Sequence, residues 1–457
     1  MSAFNPADTL HRLVKQALDS GAATSVADAE ALFRGYRLGF AIDGEDVDDP
    51  SHQAALLTGV ALARRVFLGG VTVAGPLDRP LRVHISSAET LQGAVERLGG
   101  HGVQKIADGV PTIFVGGTAR KREQGFRLRA VFSGWRGGAI PAHAEFQRPE
   151  RFTMALSPML AASLAVSEAF FHVQGKTPIA GKRPVGFSLW RPGQIDWFDP
   201  DADAPPLRYL PSSLWLIGLG HLGQAYLWAL GLLPYLEPRD VRLILQDIDI
   251  ITPSTESTSI LSDTALIGLM KTRAMAAWAE SRGFTTAIYE RPFDDMFTRT
   301  ENDPAVALCG LDNALGRRAL DKVGFPLVIE AGLGRGYRDF RTMRLHTLPG
   351  TRPADEIWKP AEAADDVIDR PAYKKLLKDG DLDKCGVTLL AGKAVGAPFV
   401  GAVAAGLAIS EVLRLLHGGM LHQLIDLDLQ SCEQRTLVLQ TQHFDSFNPG
   451  YVGAVPP

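Results

Sequence analysis

The sequence predicts an α/β protein with a parallel sheet, built twice, the first copy degenerate and the second intact. Three observations carry this. An apolar run meets a glycine turn and then a helical pattern in LWLIGLGHLGQAYLWALGLL (214–233). Strand-like and helix-like stretches alternate through the second half, as in a parallel sheet with crossover helices. Finally, AASLAVSEAFFHVQG (161–175) matches AAGLAISEVLRLLHG (404–418) at seven of fifteen positions without a gap. A weaker echo, VFSGWRGG (131–138) with VIEAGLGRG (328–336), falls in the same order in each half.

Taken along the chain, residues 1–60 read as helical. Short apolar runs follow, VFLGGVTVAG, LRVHISS, PTIFVGG and LRAVFSGW, which read as strands, with a helix at ETLQGAVERLGG. Residues 154–175 form a long apolar helix. The Pro- and Asp-rich stretch DPDADAPPLRYLPSS (199–213) is the expected linker between a first domain, 1–198, and a second, 214–457. In the second domain VRLILQDID (241–249), AVALCGLDN (305–313) and PLVIEAG (326–332) read as strands, and 263–282 as a helix. No G-x-G-x-x-G precedes a helix before residue 200, so the first copy is expected to be inactive.

Composition bounds the function. A net charge of −4 gives no global basic field for nucleic acid or an anionic membrane. The three cysteines, Cys309, Cys385 and Cys432, form neither a C-x-x-C zinc motif nor a disulfide framework. The N-terminus is amphipathic and lacks a signal-peptide core, and no uninterrupted run of about 20 apolar residues suggests a membrane span. A cytoplasmic protein is the expectation.

The glycine turn, Gly218-x-Gly220-x-x-Gly223, lets phosphate approach backbone N–H groups at a helix N-terminus. On its own it fits a nicotinamide-dependent oxidoreductase as well as an ATP enzyme. The end of the next strand tilts the choice. Asp247 and Asp249 alternate onto one face, and a second acid there would repel a pyrophosphate unless magnesium sits between. Lys271 opens the stretch KTRAMAAWAE with Arg273 two residues on, and Asp312-Asn313 ends a strand ahead of Arg317 and Arg318. No His-Asp or Tyr-x-x-x-Lys arrangement supports the oxidoreductase.

The order G-x-G-x-x-G, D-x-D, K, D-N-x-x-x-R resembles the ThiF-like adenylyltransferases of sulfur-carrier and ubiquitin-like proteins, which include the ubiquitin-activating enzymes. The resemblance covers 214–345 and resumes at CGVTLLAGKAVGAPFVGAVAAGLAISEVLRLLHGG (385–419), with a crossover loop at 346–384. It is nearest to the activating enzymes of bacterial ubiquitin-like conjugation operons linked to phage defence. It implies a Rossmann-like, ThiF-type adenylation fold whose duplicated members pair an inactive half with an active one. It also implies roles: Gly218, Gly220 and Gly223 on ATP phosphates, Asp247 on the ribose with Asp249 beside it, Lys271 on phosphate, Asp312 on magnesium, and Asn313 next to it. The implied reaction is attack of a C-terminal glycine carboxylate on the α-phosphate.

The sequence departs from the family pattern at TPSTESTS (252–259), where Thr258 stands in place of a phosphate-contacting arginine. Arg273 is one candidate replacement. The family also sends an arginine from the opposing half to the ATP, and Arg34 and Arg37 are the nearest candidates. Cys385, beside Lys384, is the candidate for a thioester step, since an adjacent cation favours thiolate. The alternatives are a sulfur-carrier or peptide adenylyltransferase without that step, and a nucleotide-binding scaffold without turnover. The expected partner is a ubiquitin-like protein ending in glycine. A conjugating enzyme, if one docks, would need a surface other than a ubiquitin-fold domain, and a homodimer stays open because duplication makes one chain self-sufficient in principle.

Overall fold

The computed structural model describes residues 6–122, 124–147, 154–359, 366–379, 382–444 and 446–455. Two sheets follow the same path. The first contains β1 (Leu38–Ile42), β2 (Val71–Ala74), β3 (His101–Val103), β4 (Thr112–Val115), β5 (Arg127–Ser133), β6 (Arg136–Pro141) and β7 (Val185–Ser188), in the order β3-β2-β1-β4-β5-β6-β7. A short strand, β8 (Tyr209–Pro211), leads into the second sheet. That sheet contains β9 (Ser213–Ile217), β10 (Arg242–Gln246), β11 (Thr285–Tyr289), β12 (Val306–Cys309), β13 (Leu327–Leu333), β14 (Thr342–Leu348), β15 (His422–Asp428) and β16 (Thr436–Leu439), in the order β11-β10-β9-β12-β13-β14-β15-β16. A last strand, β17 (Tyr451–Gly453), pairs with β8. In each sheet five strands are parallel and the later ones antiparallel. The duplicated α/β expectation is therefore met. Near-continuous apolar strands such as β9 and β12 suit parallel pairing because helices cover both faces.

The echoed segments are equivalent helices, Leu156–Gln174 and Pro398–Leu416, which pack on one another between the sheets. Both are long and apolar, and 89% of the most apolar window of each is buried in protein. Their shared glutamates explain why the match exceeds composition. Glu168 accepts from the Gly181 N–H at 2.7 Å, and Glu411 accepts from the His422 N–H at 3.0 Å and pairs with Arg414. Each carboxylate ties its helix to the chain that follows, so a charge survives inside an apolar helix.

Several elements differ from expectation. Residues 1–60 are not all helical, because RLGFAID carries β1, the middle one of the five parallel strands of the first sheet. LRVHISS forms no strand, and the short β3 lies at HGV instead. The helix expected over 263–282 is confined to Lys271–Glu280 after a turn of 3-10 helix. The expected linker 199–213 contains β8, and the expected crossover loop 346–384 begins in β14 and includes the helix Pro371–Lys378. Parts of that crossover lie outside the described residues.

Candidate active site

The cavity opens at the carboxyl ends of β9, β10 and β12, where the strand order reverses and neighbouring crossovers leave to opposite sides. It is about 1190 Å³ in volume. Each glycine of the turn has its own task. Gly218 has φ +84°, and a Cβ there would lie 3.1 Å from the Gly310 backbone at the end of β12. A Cβ on Gly223 would lie 2.0 Å from the Gly218 carbonyl oxygen, so the helix His221–Leu232 packs on the turn only without a side chain. A Cβ on Gly220 would meet nothing within 4 Å. Gly220 is the N-cap and makes no side-chain hydrogen bond, which leaves the first amides of the helix free for an anion.

The equivalent turn of the first half is built differently. There DGEDVDD (43–49) follows β1, and Asp49 caps the next helix by accepting from the Ser51 and His52 N–H groups at 2.7 and 3.0 Å. A carboxylate of the chain already fills the anion position.

Asp247 accepts from the Leu219 N–H at 2.6 Å and from the Asp249 N–H at 2.8 Å, so it braces the glycine turn. The Lys271 ammonium lies 2.8 Å from Asp249 and 3.8 Å from Asp247. The two acids are therefore reconciled by a lysine, a correction to the expectation of magnesium between them. Lys271 is positioned by its own N–H, which donates to the Asp249 carbonyl at 3.0 Å.

Asn313 caps the helix Ala314–Arg318 by accepting from the Gly316 N–H at 2.7 Å. Asp312, one residue earlier, is exposed to the cavity and has no ion-pair partner within salt-bridge distance among the described residues. No cluster of three or more metal-ligating side chains occurs among the described residues. One free carboxylate beside an anion cradle nevertheless fits magnesium, which commonly takes one or two carboxylates and completes its shell with phosphate oxygens and water.

The candidate replacement cations are corrected. Arg273 is exposed and bound to Glu290 at 2.9 Å, away from the cavity lining. Arg34 is exposed and paired with Glu30, and neither it nor Arg37 lines the cavity. Arg291, Arg317, Arg318 and Arg335 of the second half line the cavity, and the first half adds Arg12, carried by the N-terminal segment. Its Nη2 donates to Ser254 Oγ at 3.0 Å and its backbone N–H to Ser257 Oγ at 3.1 Å. Nη1 is buried with no hydrogen-bond partner among the described residues. Burial lowers the Arg12 pKa, while Asp8 and Asp312 oppose that shift. Arg12 also neighbours Thr258, since a Cβ on Gly396 would lie 2.9 Å from Thr258 Cγ2 and 3.7 Å from Arg12 Cβ. Sequence reading missed Arg12 because more than 240 residues separate it from the serines it contacts.

Of the cysteines, Cys309 is buried in β12 with its pKa pushed up to about 12 by desolvation, and Cys432 is also buried. Cys385 is exposed in the first turn of the helix Lys384–Gly392, capped by Asp383, and it does not line the cavity.

Comparison with known proteins places both halves in one family. Residues 37–189 match the BilD N-terminal domain and residues 210–419 the BilD C-terminal domain. The chain is 44% identical over 453 residues to the bacterial E1-like protein BilD of Collimonas sp. (strain OK412), covering 98% of this chain and 97% of that one. The chain belongs to the BilD family. In this BilD-family chain the N-terminal match spans the whole first sheet, and the C-terminal match spans β9 to β14 of the second and ends before β15. Among solved structures it is similar to Escherichia coli MccB with ATP, at 14% identity and a TM-score of 0.35, over 50% of this chain and 64% of that one. A further MccB structure, with succinimide, gives 12% identity and a TM-score of 0.33 over 50% and 62% of the two chains.

Proposed function

We propose that the second half uses ATP and magnesium to adenylate the C-terminal glycine carboxylate of a ubiquitin-like protein. The observation that carries the reading is one cavity that combines a helix N-terminus without a side-chain cap and, among the described residues, an unpartnered guanidinium nitrogen on Arg12 and a carboxylate without an ion-pair partner on Asp312. The E1-like description of the Collimonas relative supports it. So does the cavity volume, about 1190 Å³, which exceeds the usual range for a small ligand alone and leaves room for an extended tail.

In this reading the amides beyond Gly220 and the Lys271 ammonium hold the phosphates, and Asp247 accepts from the ribose while still bracing the turn, since each carboxylate oxygen has a second lone pair. Asp312 would hold magnesium, which supplies charge neutralisation when bound. The incoming carboxylate oxygen bonds to the α-phosphorus as the bond to the pyrophosphate oxygen breaks. Arg12 stabilises the negative charge that gathers on the phosphates. The first half does not turn over ATP, because Asp49 occupies its anion position. Its contribution lies at the other half's site.

Transfer to Cys385 is a second step of the proposal. The thiolate forms a C–S bond to the acyl carbon as the bond to AMP breaks. Because Cys385 lies outside the cavity, its helix or the acyl group must move for transfer. The test is magnesium-dependent ATP–pyrophosphate exchange with candidate ubiquitin-like proteins ending in glycine. Exchange that requires one of them supports adenylation. Absence of exchange with tight, magnesium-independent NAD binding overturns it. A thiol-reducible adduct lost in Cys385→Ala supports the thioester, and a variant that retains the adduct rejects it.

A further inference from the structure

Behind the Asp312 loop lies an ionic cluster whose outer member, Arg317, is half-buried and lines the cavity, and whose inner members do not. Glu330 is fully buried in β13, between β12 and β14. Its Oε1 lies 3.0 Å from Arg317 Nε, and its Oε2 lies 3.3 Å from His346 Nδ1 on β14. The Arg317–Glu330 contact is an ion pair without a hydrogen bond, because Arg317 Nε donates instead to the Leu311 carbonyl at 2.9 Å, and Nη2 donates to the same oxygen. The guanidinium is pressed against Gly332, where a Cβ would come within 3.1 Å of Nη1.

The position of that carbonyl is the point. Leu311 immediately precedes Asp312, so Arg317 fixes the peptide on one side of the free carboxylate, and the Asn313 cap fixes it on the other. A buried ion pair is a weak source of stability, and apolar residues of similar volume commonly replace one at little cost. β13 is otherwise apolar and buried through most of its length, which a Leu or Met at residue 330 would continue. Core packing alone thus gives no reason for the glutamate. What an apolar pair would lose is the grip on Leu311.

Resting on the adenylation reading, we propose that Arg317 and Glu330 are positioning residues that set the Asp312 carboxylate at the distance magnesium and the phosphates require, with His346 holding the second glutamate oxygen. Neither Glu330 nor His346 lines the cavity, so their effect passes through Arg317 and the Leu311 carbonyl.

The test uses the full chain and three variants: Glu330→Gln, Glu330→Leu, and the double variant Arg317→Met/Glu330→Leu. ATP binding is measured by calorimetry across a magnesium titration, thermal melting is recorded, and pyrophosphate exchange is run with the carrier protein. The double variant is expected to melt near wild type yet need about 10-fold or more magnesium for half-maximal ATP binding, the scale on which second-layer residues act at metal sites. Exchange is expected to lose kcat with little change in the KM for ATP. Glu330→Leu alone is expected to melt lower, because it leaves the half-buried Arg317 without its counter-ion. Glu330→Gln, close in shape, keeps the proposal testable if the leucine variants do not fold, and it should raise the magnesium requirement in the same direction. A wild-type magnesium requirement in a folded variant overturns the positioning role. If wild type binds ATP with magnesium but never exchanges, the adenylation reading fails, and a raised magnesium requirement in the variants still upholds the positioning of Asp312.

Discussion

At the scale of single residues, the proposed reading gives Arg12 the part of the missing family arginine. Its guanidinium has one nitrogen anchored on Ser254 and another buried without a partner among the described residues, a geometry that fixes the head and leaves donors for a ligand. Replacing such a preorganised donor commonly costs about 10²–10³ in rate. Arg12→Ala is expected to slow pyrophosphate exchange by about that factor, with Arg12→Lys intermediate because one point charge replaces a fork. A normal exchange rate in Arg12→Ala would take Arg12 out of the site. His221 makes a different prediction. It lies between the glycine turn and Gly401, with Nε2 buried and unpartnered among the described residues, and desolvation lowers its pKa to about 4. The unfolded chain therefore takes the proton first, near pH 6.5, and stability falls as pH drops from about 6.5 to about 4. Below that window the native imidazole is protonated too. His221→Gln removes this titration, so its melting temperature should decline less steeply across the same window than that of wild type. Equal slopes would show that His221 is not the neutral buried group described.

At the scale of elements, the glycine turn separates folding from binding. Gly223→Ala drives a methyl into the Gly218 carbonyl, 2.0 Å away, and is expected to displace the helix and lower the melting temperature. Gly220→Ala meets nothing in the protein, so the fold should stand while the methyl enters the phosphate space and weakens ATP binding. Equal melting losses in the two variants, read by calorimetry, would contradict this division of labour. The turn was legible because its glycines are local and the strand before it is continuously apolar. Strand β1 of the first half was not, since LGFAI is short, lies among helical patterns and leads into an acidic turn with no glycine signature. The D-x-D pair lies beside the turn, and the cation the structure sets against it is Lys271. Lys271 is 22 residues from Asp249, and only the bridge between Ile250 and Met270 brings it there. Arg317 was noticed as a cation of the motif, whereas Glu330, its partner, looked like one polar residue in an apolar strand.

At the scale of the whole molecule, the first half reaches the cavity of the second through its N-terminal segment. Lys15, three residues beyond Arg12, is buried with Asp19 and donates to the Ala391 carbonyl at 3.2 Å, which anchors the segment that delivers Arg12. Arg65, at the end of the helix Pro50–Ala63, reaches into the loop that contains Ser254 and Thr258. It donates to the carbonyls of Glu256 at 3.0 Å, Ile260 at 3.1 Å and Ser262 at 2.6 Å, and to Ala61 of its own helix at 2.6 Å. Burial lowers its pKa to about 9, with Arg64 adding to the shift. Sequence alone does not expose this link, because an arginine at a helix end is ordinarily solvated. Arg65→Met fills the space but leaves those buried carbonyls without a charged donor, and each such loss costs about 1–3 kcal/mol. The variant is expected to lose about 3 kcal/mol or more in urea melts, and to bind ATP more weakly because the loop that anchors Arg12 loosens. If the halves are one cooperative unit, the loss appears as a single transition shifted to lower urea. Two separate transitions, with only the first moved, would show that the halves fold independently and that Arg65 does not couple them.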